Sequence, residues 1–96
     1  MTLSAPRRLR ISDSAVVRDL DGESVILNIQ SGIYFGLDRI GTRVWQLIDE
    51  LGDLDSIVRV MADEYDAERD VLRADVESLV AALLEKQLIT QGGGDA

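Results

Sequence analysis

Carboxylates are the side chains that this sequence offers in greatest number for chemistry. The 96 residues include 18 Asp and Glu, and neither Cys nor His occurs. Closely spaced acids form three groups: Asp49/Glu50/Asp53, Asp63/Glu64/Asp66 and Asp75/Glu77. Paired carboxylates can perform acid–base catalysis or hold a hard cation. Imidazole bases, thiolate nucleophiles and metal sites built from thiolate or imidazole ligands are excluded, since Cys and His are missing.

We interpret these acids as solvated helix surfaces. They are spread along predicted helices, and the series from Asp63 to Asp70 lacks the alternating ligands and central glycine of an EF-hand loop. The glycines at 92–94 follow no predicted strand and begin no predicted helix, unlike a phosphate-binding loop. The expectation is a protein that is not an enzyme and that uses no metal and no cofactor.

The charge balance disfavours nucleic acids and membranes as partners. The net charge is −8, and three of the ten bases, Arg7, Arg8 and Arg10, lie in the first ten residues. An acidic body repels phosphate backbones and anionic headgroups.

No stretch reaches the roughly 20 apolar residues that span a bilayer, and no apolar signal segment follows the arginines. A cytoplasmic monomer is expected.

The first half of the chain has the period of two that is typical of strands. Such runs at 15–20, 23–29 and 33–37 predict a three-stranded antiparallel sheet. The first two runs are joined by Asp21-Gly22, a turn that accepts positive φ at both residues. The third is an edge without Lys or Pro, which is either covered by the protein itself or free to accept an added strand.

The second half has the period of helices. Apolar residues near every 3.6 positions predict helices at 39–51, 54–65 and 69–87. Strands followed by helices indicate an α+β class, and the short link between the first two helices favours a winged helix-turn-helix-like fold. The domain is placed at 15–90, with a flexible basic arm at 1–14 and a disordered tail at 91–96.

The winged-helix expectation raises DNA binding as an alternative function. The third predicted helix carries Arg69, Arg73 and Lys86 but also four acids. A groove-reading helix needs a basic face that neutralises phosphates. Recognition of a peptide or protein is therefore favoured over DNA binding.

A pattern of apolar, glycine and small residues points to a known family. Its parts are Leu27-Asn28-Ile29, Gly32–Asp38, Ile40–Ile48, Asp75-Val76, Leu79, Leu83-Leu84 and Leu88-Ile89. Over about 14–89 the chain resembles the PqqD-like family, and more narrowly the stand-alone leader-recognition proteins of lasso-peptide biosynthesis. These are recognition elements for ribosomally synthesised, post-translationally modified peptides (RiPPs).

The resemblance implies a non-catalytic peptide chaperone. In this family the leader of a lasso precursor, with a Tyr-x-x-Pro-x-Leu pattern, adds as a strand beside the third strand and lies against the third helix. The bound precursor is presented to a separate leader peptidase, and the cleaved core passes to a lasso-forming cyclase. A PqqD-like chaperone for another modifying enzyme, such as a radical-SAM maturase, is the alternative.

The same resemblance also implies which residues bind the peptide. Carried over position by position, the set comprises Ile33, Tyr34, Phe35, Arg73, Asp75, Val76, Leu79 and Val80. The period of two predicts that Ile33, Phe35 and Leu37 pack toward the helices and that Tyr34 faces solvent.

Overall fold

The computed structural model describes residues 8–92, which form five strands and three helices. The strands are β1 (Arg8–Ile11), β2 (Ala15–Leu20), β3 (Glu23–Asn28), β4 (Tyr34–Leu37) and β5 (Ile89–Gly92). The helices are α1 (Arg39–Glu50), α2 (Leu54–Tyr65) and α3 (Arg69–Glu85). Strands β2, β3 and β4 form the predicted antiparallel sheet in that order, so the α+β class is confirmed.

The two ends of the described chain form a second sheet that the sequence did not predict. Strand β1 pairs antiparallel with β5, from Arg8↔Gly92 to Ile11↔Ile89. Residues 8–11 and 91–92 are thus strand, which corrects the boundaries set for the arm and the tail. The physical reason is Leu9, which is 5% exposed and donates its N–H to the Gly52 carbonyl at 2.8 Å. Residues 1–7 and 93–96, the rest of the predicted arm and tail, lie outside the described residues.

The β2–β3 hairpin forms as its turn residues predict. Asp21 and Gly22 have φ values of 60° and 85°, as a type I′ turn requires. On β3, Ser24, Ile26 and Asn28 are buried, so this face of the sheet packs on the helices. The buried Ser24 hydroxyl accepts a hydrogen bond from the Thr42 hydroxyl at 3.0 Å, which joins β3 to α1.

Aspartates begin the first two helices. The Asp38 carboxylate accepts the N–H of Gly41 at 2.8 Å, and Asp53 accepts the N–H of Ser56 at 2.9 Å. Each satisfies a donor that has no partner within its own helix. The observed helices match the predicted ones closely; α1 ends one residue and α3 two residues earlier than predicted.

The core lies between the inner sheet face, the three helices and β5. Its fully buried large side chains include Ile26, Leu47, Ile48, Ile57, Met61, Leu83, Leu88 and Ile89. Within residues 8–92, no helix is long and apolar enough to cross a membrane.

Replacing Asp53 by Ala should destabilise the fold in a pH-dependent way. Hydrogen bonds from the Ser56 hydroxyl and then its N–H lower the pKa of Asp53. A lowered folded-state pKa stabilises the protein above the ordinary Asp pKa of about 3.9, and this stabilisation is lost as the pH falls through the folded value. We expect a cost of about 1 kcal/mol at neutral pH. Urea denaturation should show a smaller difference between variant and wild type at about pH 3, and equal differences at both pH values would contradict this account.

Candidate functional site

Strand β4 has one edge that no strand within residues 8–92 occupies. It is the last strand of the β2–β3–β4 sheet. The Asn28 N–H donates to the Ile33 carbonyl at 2.9 Å, and backbone groups alternate in direction along a strand. Phe35 and Leu37 therefore direct their backbone groups toward β3, and Tyr34 and Gly36 direct theirs outward. These outward groups can pair with an incoming extended chain.

An apolar cleft of about 680 Å³ lies beside this edge. Its walls come from β4, the beginning of α1, the end of α2 and the first half of α3. The large apolar side chains that line it are Phe35, Leu37, Ile40, Val44, Leu72, Val76 and Leu79. Asp38 and Asp75 also line the cleft, and its lining contains no Lys or Arg. Such a surface suits an apolar side chain that is flanked by neutral or basic groups.

Local sequence features bring these walls together. A Cβ atom on Gly41 would lie 3.1 Å from Leu37 Cδ2, so glycine lets α1 begin close against the end of β4. On α3, Leu72, Val76 and Leu79 follow the i, i+4, i+7 spacing of a single helix face. That face forms the wall opposite β4.

The structure brings together half of the predicted peptide-binding residues. Phe35, Asp75, Val76 and Leu79 line the cleft, and their role as peptide contacts stays a prediction. Val80 is a core residue with 7% exposure.

The other predicted positions lie outside the cleft lining. Tyr34 is 68% exposed, as predicted, but Ile33 is also exposed, at 41%. The expectation that Ile33 packs toward the helices was wrong: β4 begins only at Tyr34, and Ile33 lies directly before the strand and outside the hydrophobic core.

One arginine of α1 and one of α3 form ion pairs with acids of α2. Arg73 forms an ion pair with Asp55 of α2, and its pKa is raised chiefly by that hydrogen bond. Arg43 of α1 donates to Glu64 of α2 at 2.6 Å, which lowers the pKa of Glu64. Both cations are held by acids of α2, so neither is free to contact a phosphate or a peptide carboxylate without breaking a pair.

Sequence reasoning missed several lining residues. Ile40 and Leu72 were not among the predicted peptide-binding residues, yet both line the cleft. Ile40 is 49% exposed although it lies in the first turn of α1. An apolar residue directly after a helix cap, next to a predicted strand edge, is the signal that could have identified it.

The fold and the site together define a class: an α+β domain with a small sheet, one edge of which is unpaired among residues 8–92 and lies beside an apolar cleft. The family described as coenzyme PQQ synthesis protein D (PqqD) matches residues 23–89. The chain belongs to the PqqD family.

Two solved structures are similar over nearly the whole chain. One is described as "TbiB1 in Complex with the TbiA(beta) Leader Peptide"; it is 37% identical with a TM-score of 0.79, and the match covers 91% of this chain and 98% of that chain. The other, "Lasso peptide synthetase B1 complexed with the leader peptide", is 23% identical with a TM-score of 0.78 and coverages of 86% and 98%. At that identity the second supports the fold. No curated protein sequence matches the chain.

Proposed function

We propose that this protein is a non-catalytic recognition element that binds the leader segment of a ribosomally synthesised lasso precursor. The observation that carries the proposal is the open β4 edge directly beside the apolar cleft. The description of the similar TbiB1, a complex with a leader peptide, supports the same function.

Binding would combine two kinds of interaction. A leader strand that pairs with the outward groups of Tyr34 and Gly36 gains backbone hydrogen bonds, each with a net value of about 0.5–1.5 kcal/mol. These bonds fix the register but read little sequence. Selectivity comes from large leader side chains that enter the cleft, at about 1.5–3 kcal/mol for each one fully buried. Ordering a flexible peptide costs several kcal/mol, so nanomolar to micromolar affinity is expected.

A titration with a labelled synthetic peptide tests this function. The peptide carries the Tyr-x-x-Pro-x-Leu pattern with Ala and Lys at the other positions, and a second peptide has Ala in place of Tyr and Pro. We expect saturable binding of the first peptide and a loss of roughly tenfold or more with the second. Equal binding of both peptides would overturn the role of the cleft, and no binding of either would overturn the function.

The outer face of the sheet supports the further proposal that the bound leader is presented to a separate peptidase. Val16, Leu27 and Tyr34 face each other across β2, β3 and β4 on the side opposite buried Ile26. Val16 and Tyr34 are exposed and Leu27 is half-buried, so they form an apolar row on an otherwise acidic protein. A strand added beside Tyr34 would extend this row, since alternate residues of any strand project to the two faces. A peptidase docked on the row would therefore meet the leader as well.

Val16→Glu should weaken presentation without weakening leader binding. Val16 lies on β2, two strands from the open edge, so a charge there faces the docking partner and not the leader. Val17→Glu is the matched control, because Val17 has similar exposure (45% against 51%) but projects to the other face. We expect the Val16 variant to slow precursor cleavage by the cognate peptidase about tenfold or more. Unchanged cleavage with Val16→Glu would exclude this face as the docking surface.

A further inference from the structure

Asn28 is a buried polar residue at which the sheet meets the end of α3. It is 2% exposed. Its side-chain amide donates to the carbonyls of Lys86 and Gln87, at 3.3 and 3.2 Å. These two carbonyls belong to the residues directly after Glu85, the last residue of α3, and backbone carbonyls away from water need a hydrogen-bond partner. Asn28 therefore fixes the end of α3 to the end of β3.

The same side chain also shapes the turn that leads into β4. The Asn28 Oδ1 accepts the N–H groups of Gln30 and Ser31, at 2.9 and 3.2 Å. The Asn28 carbonyl accepts the N–H of Gly32 at 2.7 Å. The oxygens of Asn28 thus accept hydrogen bonds from the turn before β4, and its side-chain NH₂ group donates to the residues that follow α3.

Strand β4 and α3 are the facing walls of the cleft, and this geometry gives Asn28 a role beyond stability. Asn28 is hydrogen-bonded to the turn directly before β4 and to the residues directly after α3. The residues that line the cleft, Phe35 to Leu37 on β4 and Leu72 to Leu79 on α3, lie farther along each wall. A change in the hydrogen bonds of Asn28 would therefore change the distance between β4 and α3 and their relative position.

We infer that Asn28 is a positioning residue that sets the width of the peptide cleft by tying the β4 turn to the end of α3. The inference rests on the proposed function. It assigns Asn28 no contact with the peptide, and the effect acts through the walls that Asn28 holds in place.

Asn28→Asp separates the two roles of this side chain. A carboxylate keeps the oxygen that accepts from Gln30 and Ser31, but it replaces the NH₂ donor toward Lys86 and Gln87 by a second acceptor oxygen, which cannot bond to their carbonyls. The matched control is Asp53→Ala, which loses one side-chain cap at α2, away from the cleft lining. Binding of the labelled Tyr-x-x-Pro-x-Leu peptide is measured at a temperature at which thermal melts show both variants to be folded. Amide hydrogen exchange is followed in parallel.

We expect Asn28→Asp to bind the peptide roughly tenfold or more weakly than wild type, and Asp53→Ala to bind it as wild type does. Amide exchange should rise in the last turn of α3, and it should not change at Gln30 and Ser31. If Asn28→Asp does not fold, Asn28→Ser replaces it, because a hydroxyl keeps a turn acceptor without adding charge. Wild-type affinity in the folded variant would overturn the positioning role alone. Failure of the wild-type protein to bind would overturn the proposed function itself.

Discussion

Proline at position 36 should abolish most of the peptide binding and leave the fold intact. The N–H of Gly36 is directed away from β3, so Gly36→Pro removes no hydrogen bond of the sheet. Proline is tolerated at such edge positions. It deletes one outward donor, and its ring occupies the space through which a paired strand would approach. Because each lost backbone hydrogen bond costs about 0.5–1.5 kcal/mol and the ring adds a steric barrier, we expect affinity to fall by at least about tenfold.

Gly36→Ala is the matched control for this experiment. A Cβ atom at position 36 would meet no atom within 4 Å, and alanine keeps the N–H. The alanine variant should therefore bind the peptide nearly as the wild type does, while thermal melts show both variants folded. If Gly36→Pro bound the peptide with wild-type affinity, strand addition at β4 would be excluded. Peptide binding would then depend on the cleft alone.

Phe35→Ala should weaken both folding and binding, whereas Tyr34→Ala should spare the fold. Phe35 is half-buried, pairs with fully buried Ile26 across the sheet and packs against the core. Truncation of a fully buried Phe costs about 3–5 kcal/mol, so a half-buried one should cost about 2 kcal/mol. Tyr34 is mostly exposed, and its truncation should change the free energy of unfolding by no more than about 0.5 kcal/mol.

Urea denaturation of the two variants measures this difference directly. A larger loss of stability for Tyr34→Ala than for Phe35→Ala would mean that the two faces of β4 are reversed. Peptide titration under folding conditions adds an independent measure. Because Phe35 lines the cleft, its truncation should also reduce affinity by roughly tenfold or more.

Local patterns were sufficient to predict most of the fold. Asp21-Gly22 identifies the hairpin because few other residue pairs accept positive φ twice. The helical spacing of apolar residues predicts where α1 begins, and strand alternation correctly predicts that Phe35 is more buried than Tyr34. Each of these signals depends on a few consecutive residues, which a single sequence reports directly.

Features that depend on distant residues could not be predicted in the same way. Strand β1 is four residues long with two arginines, and it becomes a strand only because β5 lies beside it. The family resemblance implied that Arg73 binds the peptide, but the ion pair of Arg73 with Asp55 depends on how α2 packs on α3. Asn28 was part of the family pattern, yet its partners Lys86 and Gln87 are almost sixty positions away along the chain.

The pairing of β1 with β5 has a consequence for the design of shortened proteins. Arg8 lies opposite Gly92, so each terminal strand is the hydrogen-bonding partner of the other. Deleting β1 leaves the backbone of β5 without its hydrogen-bonding partner and removes cover from Ile89, and deleting β5 does the same to β1 and Leu9. A truncation that removes either β1 or β5 therefore damages both strands at once.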